Sequence, residues 1–493
     1  MIRRGLTGSV LVLLGGLVVS TLPHSAPVVR VTTLAVLRQS ETGRMTGLSV
    51  VLVGLGLLAS AWLDLCRETA ELGASRWVEG VDLVRSAAVV WTLPLLVAPP
   101  LFSRDGWSYA AQGALAHAGL SPYSYGPYAL VAQVPGPTSP APILQAVDPM
   151  WMRTVTPYGP LPLLAGRLMA SATGNPWVLV VGHRLVALVG LALLAWSVPR
   201  LARWVGANPA HAAALVIVSP LMVANGVGGL HNDLLMVGLM ATALVVGAER
   251  GWVAGALIAG LAASVKVPGG LVCLGIALVT LPAAAQPWRR VRHLAAVGGT
   301  TLATVLVLGL VTGLGNGWVG ALAVPGELTT VLSLPTMLGQ ALDAATHAAG
   351  VDTRPDLFRS AVRLLATLLL AGVLLRTSLT ARTGDRRAAL AAVATAVSAF
   401  VLLSPVVHLW YLLVIPPFLA PLCLARTSRR ATDLLMAGSV VAGLTAPLDS
   451  SLHGAYLAIV LGIAVLAAVL LVLWARQVLR GRAAPSGRHP QPA

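Results

Sequence analysis

The chain has 493 residues, of which 57% are hydrophobic and only 10% are charged, whereas soluble domains carry about 25% charged residues. This composition excludes an ordinary soluble protein. The formal net charge of +16 does not indicate nucleic-acid binding, because the arginines lie in short clusters between apolar runs, a pattern that sets membrane topology. We therefore expect an integral membrane protein.

Apolar segments of roughly membrane-spanning length recur along the whole chain. They lie at residues 6–22, 46–63, 86–102, 177–198, 211–225, 233–248, 252–266, 268–284, 294–314, 362–379, 388–404, 409–425, 434–446 and 455–474. The sequence thus predicts an all-α polytopic membrane protein with about 13–14 transmembrane helices. Residues 1–480 would form a single transmembrane domain, and residues 481–493 a disordered basic tail in the cytoplasm.

The distribution of arginines predicts how these helices are oriented. If the N-terminus is cytoplasmic, most arginine clusters fall in cytoplasmic connections, and the C-terminus lies in the cytoplasm as well. Arg30, Arg38 and Arg44 argue against this orientation, because they would lie outside. Two long connections, at residues 103–176 and 315–360, would face the extracytoplasmic side, and connections of this length are usually functional.

The first outer connection contains the segment DGWSYAAQGALAHAGLSPYSYGP at residues 105–127. Asp105 is expected where a helix leaves the membrane, and a carboxylate in a partly dry cleft suits general-base catalysis. The alternative is an interfacial charge paired with Arg104. The spacing of residues 107–117 predicts a helix that lies flat on the membrane surface. The candidate binding residues in this segment are Trp107, Tyr109, Gln112 and Tyr123.

Other unusual polar groups are predicted on the same side of the membrane, and such groups are costly to bury in lipid and tend to be functional. The alternatives are a helix cap for the aspartate of the HND motif and an interfacial aromatic belt for the HLWY motif. The residues are Tyr158 in TPYGP, His231, Asn232 and Asp233 in HND, and His408, Trp410 and Tyr411 in HLWY.

Two cations are candidates for binding a phosphate group. Lys266 is the only lysine in the chain, and its ammonium group could hold a phosphate as a point charge or extend to the interface. Arg184 lies inside a predicted span and would either pair with a buried acid such as Asp105 or reach a phosphate. The sequence has no DxD motif and no His/Asp cluster at ligand spacing, so we predict no metal site and no other cofactor.

Six motifs follow one another between residues 84 and 425: SRDGWSYAAQGALAHAGLSPYSYGP, VDPMWMRTVTPYGP, GGLHNDLLMVGLM, SVKVPG, LTTVLSLPT and HLWY. In this order they resemble the actinobacterial polyprenol-phosphate-mannose-dependent α-(1→6)-mannopyranosyltransferases, which are GT-C glycosyltransferases. The resemblance implies a GT-C bundle with a long first catalytic loop, Asp105 as the general base and Lys266 at the donor phosphate.

The same resemblance implies the reaction. Mannose would pass from polyprenyl-phosphate-mannose to a growing α-(1→6)-mannan on a lipid anchor, the backbone of lipomannan and lipoarabinomannan, by inverting displacement at the outer face of the plasma membrane. Two other functions stay open: a GT-C transferase that uses another polyprenyl-phosphate sugar such as arabinose, and a lipid-linked sugar transporter or flippase. Transporters often show paired repeats and midplane sites, which this sequence lacks.

Overall fold

The computed structural model describes residues 1–72, 74–133, 141–351, 353–425 and 429–448, and in addition the single positions 462 and 469. All regular secondary structure in these residues is helical, which confirms the all-α fold class. Apart from those two positions, the predicted span at 455–474 lies outside the described residues, as does the predicted tail at 481–493.

Helices follow one another along the entire described chain. They are α1 (Ile2–Val19), α2 (Thr32–Gln39), α3 (Glu41–Glu71), α4 (Trp77–Leu96), α5 (Asp105–His117), α6 (Ala129–Gln133), α7 (Ala141–Leu144), α8 (Pro160–Ala172), α9 (Pro176–Trp204), α10 (Pro209–Ile217), α11 (Asp233–Arg250), α12 (Trp252–Ala263), α13 (Cys273–Thr280), α14 (Pro287–Val311), α15 (Trp318–Ala321), α16 (Val324–Glu327), α17 (Leu334–Ala348), α18 (Leu357–Thr380), α19 (Arg386–Leu403), α20 (Pro416–Ala425) and α21 (Arg429–Leu444).

Shorter helical turns connect several of these elements. A π-helical turn covers Met222–Gly228, and such turns occur frequently at functional sites. The 3₁₀ turns are Pro27–Arg30, Ala74–Arg76, Pro149–Trp151, Val267–Val272, Leu409–Val414 and Ala446–Leu448.

Among the described helices, α1, α3, α9, α14, α18 and α19 are long and apolar enough to cross a membrane. The helix α10 and the π-helical turn pass the same test only together and meet at an angle of 55°, so they add a seventh candidate span if the two form one. Pro220 stands in this break, since proline cannot continue the hydrogen-bond ladder of a helix. The protein is therefore a polytopic membrane protein.

Several other predicted spans differ from these long helices. The helices α4 and α11 have 20 and 18 residues, but each contains three charged side chains. The predicted span at 252–266 is the short helix α12. Each of the predicted spans at 268–284 and 409–425 consists of a 3₁₀ turn followed by a short helix, α13 or α20. Their interruptions coincide with proline and glycine residues such as Pro268 and Pro416.

Close helix contacts are made through glycines at the N-terminus of the chain. A Cβ atom on Gly8 would lie 2.6 Å from the carbonyl oxygen of Gly54, and one on Gly54 would lie 2.6 Å from that of Gly8. Because small residues allow backbones to approach in this way, α1 and α3 pack tightly against each other.

One arginine that argued against the predicted orientation has a structural role. Arg38 donates hydrogen bonds to the carbonyl oxygens of Leu17, Val18 and Ser20 at distances of 2.5–3.1 Å. These carbonyls belong to the end of α1, where the last carbonyl groups of a helix have no N–H donor within the helix. The position of Arg38 is therefore explained by capping of a helix and carries little information about topology.

Candidate active site

Asp105 is the first residue of α5 and is only 9% exposed. Phe102, three residues earlier, has a φ of 66°, a left-handed conformation that costs a non-glycine residue roughly 1–3 kcal/mol and is often found at functional sites. Eleven of the thirteen residues of α5 are buried. The expected helix on the membrane surface is therefore wrong, because α5 is packed inside the protein.

Arg184 fixes the loop that leads to Asp105. Its side chain is fully buried, and its five N–H groups all point to backbone oxygens. The acceptors are the carbonyl oxygens of Leu96, Ala98, Pro99, Val227 and Gly228.

The predicted phosphate-binding role of Arg184 is not compatible with this geometry. A guanidinium whose donors are all used has none left for a ligand, and none of the ion pairs among the described residues includes it. Arg184 instead joins the 96–99 loop to the segment that precedes His231, so that it positions two of the predicted site residues.

His231 lies in a second loop that packs against the first. Leu230 has a φ of 60°, and a Cβ atom on Gly106 would lie 2.6 Å from the Cδ2 atom of Leu230. Only a glycine fits at position 106 without displacing this side chain. As a result, the Nδ1 atom of His231 lies 3.6 Å from the Oδ2 atom of Asp105, slightly beyond hydrogen-bond distance.

Three aromatic rings extend the site from His231. The His231 and Trp410 rings stack with their centroids 3.8 Å apart, and the Trp410 and His408 rings stack with theirs 4.4 Å apart. Tyr411 meets His408 edge-on at 5.6 Å. The HLWY motif therefore packs against the HND motif, and its residues form a continuous aromatic surface.

Lys266, whose side chain is partly buried, forms an ion pair with the buried Asp233. Its Nζ atom lies 3.0 and 3.3 Å from the two carboxylate oxygens, and 3.8 Å from the centroid of the Tyr411 ring. This arrangement combines an ion pair with a cation–π contact. Asp233 therefore binds Lys266, and no side-chain capping bond forms at the start of α11.

The TPYGP motif packs against the chain immediately before Lys266. The backbone N–H of Gly159 donates to the carbonyl oxygen of Val265 at 3.2 Å, and that of Leu161 to Ser264 at 3.0 Å. A Cβ atom on Gly159 would lie 2.3 Å from the Ser264 oxygen. The motif is therefore held close to the lysine by its backbone.

Tyr158 reaches Asp105 through a second tyrosine. The hydroxyl groups of Tyr158 and Tyr109 are 3.3 Å apart, and the Tyr109 hydroxyl donates to the Oδ2 atom of Asp105 at 3.4 Å. Gln112 lies one turn further along α5, where its Oε1 atom accepts a hydrogen bond of 3.1 Å from Thr156. Thr156 was not predicted as a site residue, although it begins the TPYGP motif.

Two predicted residues lie apart from this cluster. Trp107 is fully buried, and its indole N–H donates to the carbonyl oxygen of Thr21 at 3.1 Å. Tyr123 packs beside Ala116, Leu163 and Leu314 in a separate apolar cluster. The structure thus gives both aromatic rings packing positions, and neither is brought to Asp105.

Four polar atoms near the start of α5 and α11 are buried without a hydrogen-bond partner among the described residues. They are Arg104 Nε, Ser108 Oγ, His231 Nδ1 and Asn232 Nδ2. Buried polar groups are nearly always hydrogen-bonded, so unpaired donors at such a site are typical of a place where a polar ligand binds.

The charges of the cluster follow from the surroundings of each group. Burial alone would raise the pKa of Asp105, but His231, His408 and Lys266 lower it below its ordinary value. Burial lowers the pKa of His408 to about 4. Burial also acts to lower the pKa of Lys266, but Asp233 and Tyr411 reverse this effect and raise it. At neutral pH Asp105 is therefore ionised, His408 is neutral and Lys266 is charged.

The second long connection, at residues 315–360, contributes to the site through the HLWY loop. Ser333 donates to the carbonyl oxygen of Ser404 at 2.8 Å, Thr336 to that of Pro405 at 2.6 Å, and the N–H of Val407 donates to the Thr330 hydroxyl at 2.9 Å. The LTTVLSLPT motif thus fastens the segment directly before His408. This role has no signal in the sequence beyond the run of hydroxyl side chains.

The arrangement defines a class of protein: a polytopic membrane protein with an ionised buried carboxylate, a partly buried lysine and unpaired polar atoms at the ends of its helices. Residues 2–283 match the family model described as the N-terminal domain of alpha-(1→6)-mannopyranosyltransferase, and residues 335–477 match the MptB C-terminal domain.

Several relatives are similar over most of the chain. Alpha-(1→6)-mannopyranosyltransferase A of Mycobacterium tuberculosis is 32% identical over 422 residues, which cover 83% of this chain and 77% of the relative. The enzyme of the same name from Corynebacterium glutamicum is 29% identical, with 75% and 78% covered. The chain therefore belongs to the alpha-(1→6)-mannopyranosyltransferase family, and it is a membrane-bound mannosyltransferase.

Proposed function

We propose that the protein transfers mannose from polyprenyl-phosphate-mannose to a growing α-(1→6)-mannan on a lipid anchor, as in the backbone of lipomannan and lipoarabinomannan. The observation that carries this proposal is the buried, ionised Asp105 at the start of α5, with unpaired polar atoms beside it. A membrane-embedded enzyme suits a donor and an acceptor that both carry lipid chains.

The reaction is a single displacement that inverts the anomeric configuration. The oxygen of an acceptor hydroxyl attacks the anomeric carbon, the bond from that carbon to the phosphate oxygen breaks, and polyprenyl phosphate leaves with the bonding electrons. Asp105 takes the proton of the acceptor hydroxyl as the general base. Tyr109, which donates to the Oδ2 atom of Asp105, keeps this carboxylate oriented.

Lys266 is proposed to stabilise the charge that develops on the leaving phosphate. Its ammonium group is held by Asp233 and lies over the Tyr411 ring. A fixed cation in a water-poor site needs little reorganisation when charge develops. The unpaired Nδ2 atom of Asn232 can donate to the same phosphate, while Tyr158 and the rings of His231, His408 and Trp410 contact the sugars, with Gln112 next to them.

The assay uses membranes that contain the protein, labelled polyprenyl-phosphate-mannose and a synthetic α-(1→6)-dimannoside. We expect one labelled mannose to be added, with an α-(1→6) linkage found by linkage analysis. Transfer of arabinose instead of mannose from the matching polyprenyl-phosphate donor would contradict the proposed donor. Movement of the lipid-linked sugar across sealed vesicles without transfer would contradict the proposed reaction.

We further propose that both termini are cytoplasmic and that the site faces the extracytoplasmic side. Most arginines then lie in cytoplasmic connections. Tyr125, which is 41% exposed, follows α5 and should accept a cysteine label from outside intact cells as Tyr125→Cys. Arg387, exposed at the start of α19, gives the control Arg387→Cys, which should react only after permeabilisation. The reverse pattern of labelling would contradict the orientation.

A further inference from the structure

The helix α17 (Leu334–Ala348) has its apolar side chains outside and its polar side chains inside. Leu334, Met337, Leu338 and Leu342 are 62%, 42%, 56% and 39% exposed. The side chains of Thr336, Gln340, Asp343 and Thr346 are buried or half-buried. A helix in water shows the opposite pattern, so the exposed face of α17 suits a surrounding of hydrocarbon.

The partner of the inner face is α18. The backbone of the two helices is in contact at Gly339, where a Cβ atom would lie 2.4 Å from the Cα atom of Arg359. The carboxylate of Asp343 accepts hydrogen bonds from the N–H groups of Phe358 and Arg359 at 2.9 and 3.0 Å. Asp343 therefore caps the first turn of α18, which explains why a charged residue of α17 faces the protein.

The two helices run antiparallel. Thr336, near the start of α17, contacts Arg363, whereas Asp343, seven residues later, contacts Phe358 at the start of α18. The start of α17 therefore lies farther from the N-terminal end of α18 than the end of α17 does. The helix α18 is long and apolar enough to cross a membrane, and Ala366 is its single buried residue. Like α17, α18 exposes leucines, among them Leu364, Leu365 and Leu368. The one exposed polar side chain of α17, His347, is in its last turn.

We propose that α17 is embedded in the membrane leaflet next to the active site, with its exposed face covered by the hydrocarbon chains of lipids and with its N-terminal end deepest. Residues 315–360 were expected to form an outer loop, but the α17 part of it would then not be in water. Since Ser333 and Thr336, at the N-terminal end of α17, bind the segment before His408, the depth of this helix sets the height of the site above the hydrocarbon.

Single-cysteine labelling tests the depth of α17 in lipid nanodiscs. The native cysteines Cys66, Cys273 and Cys423 are buried, so an environment-sensitive fluorophore can be attached at Leu338→Cys and, as the matched control on the same helix, at His347→Cys. The two positions are nine residues apart, about 14 Å along the axis. Nitroxide groups placed on lipid acyl chains or on headgroups serve as quenchers.

We expect the label at Leu338→Cys to emit at shorter wavelength than the one at His347→Cys, and to be quenched more by acyl-chain nitroxide than by headgroup nitroxide. The label at His347→Cys should show the reverse preference. Equal quenching of both labels by iodide from water, or quenching of Leu338→Cys by headgroup nitroxide alone, would overturn the proposal. If Leu338→Cys does not fold, Leu342→Cys presents the same face. No step of this test depends on transferase activity.

Discussion

Two arginines hold the loops that lead to the candidate active site, one beside each of the two long connections of the chain. Arg184 is fully buried and binds five backbone carbonyl oxygens ahead of Asp105 and His231. Arg363 is partly exposed and binds the Thr336 hydroxyl with carbonyl oxygens of Gly326, Leu328 and Pro405.

In both regions an arginine binds backbone carbonyl oxygens, and the two regions differ in how deeply that arginine is buried. The planar guanidinium group can satisfy several carbonyls that have no helical partner, and each unsatisfied buried acceptor costs about 1–3 kcal/mol. Four of the five hydrogen bonds of Arg184 are buried, whereas those of Arg363 are partly buried or exposed. The first region should therefore depend on its arginine much more than the second.

The largest expected effect is that of Arg184→Met. Five carbonyl oxygens, four of them in buried hydrogen bonds, would each lose a donor, although that of Gly228 would keep the N–H of Leu101. The change should lower the free energy of unfolding by roughly 3 kcal/mol or more. Arg184→Lys, with three donors in place of five, should recover part of this loss. Thermal unfolding of the purified protein in detergent measures the effect.

The matched control for that change is Arg200→Met on the same helix. Arg200 stacks on Trp196 with its guanidinium carbon 4.0 Å from the ring centroid and donates to one carbonyl of its own helix. The change Arg200→Met should therefore lower the free energy of unfolding by less than Arg184→Met does. Equal losses from the two variants would contradict the account of the first region.

A smaller effect is expected from Arg363→Met. The loss should be about 1 kcal/mol, since its acceptors can be reached by water or by polar neighbours. Arg359→Met serves as the control, because Arg359 makes a surface ion pair with Asp356 of the kind worth about 0–1 kcal/mol. The rate of transfer should nevertheless fall in Arg363→Met, because the loop before His408 loses the hydrogen bond from Arg363 to the carbonyl oxygen of Pro405. A stability loss as large as that of Arg184→Met would remove the distinction between the two regions.

The smallest effects concern the pH dependence of activity. His231 and His408 both lower the pKa of Asp105, and His231, which is in contact with it, does so more strongly. Removing either histidine raises this pKa, so the loss of activity on acidification should begin at higher pH. The shift should be larger in His231→Gln than in His408→Gln. Rate–pH profiles measure both, and a shift to lower pH in either variant would contradict the assignment of Asp105 as the base.

Much of the site could be predicted from the sequence because its residues carry costly polar groups into apolar surroundings. Asp105, His231, Lys266 and Trp410 stand out in this way, and the structure brings them into one cluster. The helix ends that the apolar runs predict were sufficient to place these four residues on the same side of the membrane in the predicted topology. The orientation of that side relative to the cell stays a prediction.

Other parts could not be predicted because they depend on contacts between distant segments. A guanidinium group suits a phosphate and a set of carbonyl oxygens equally well, so the sequence could not show that Arg184 serves the loop of residues 96–99. The indole of Trp107 could likewise not be distinguished from a sugar-binding ring until its bond to Thr21 was known. Pro220 indicated a break after α10, but the continuous apolar run at residues 211–225 led to the prediction of one unbroken helix.

The substitution Asp105→Asn tests the proposal that Asp105 acts as the base of mannosyl transfer. The amide has nearly the same shape but cannot take a proton, so the rate of transfer to the dimannoside should fall by about 10²–10⁴-fold. Thermal unfolding and binding of the labelled donor should stay close to those of the unmodified protein. Transfer by Asp105→Asn at near the unmodified rate would contradict the claim.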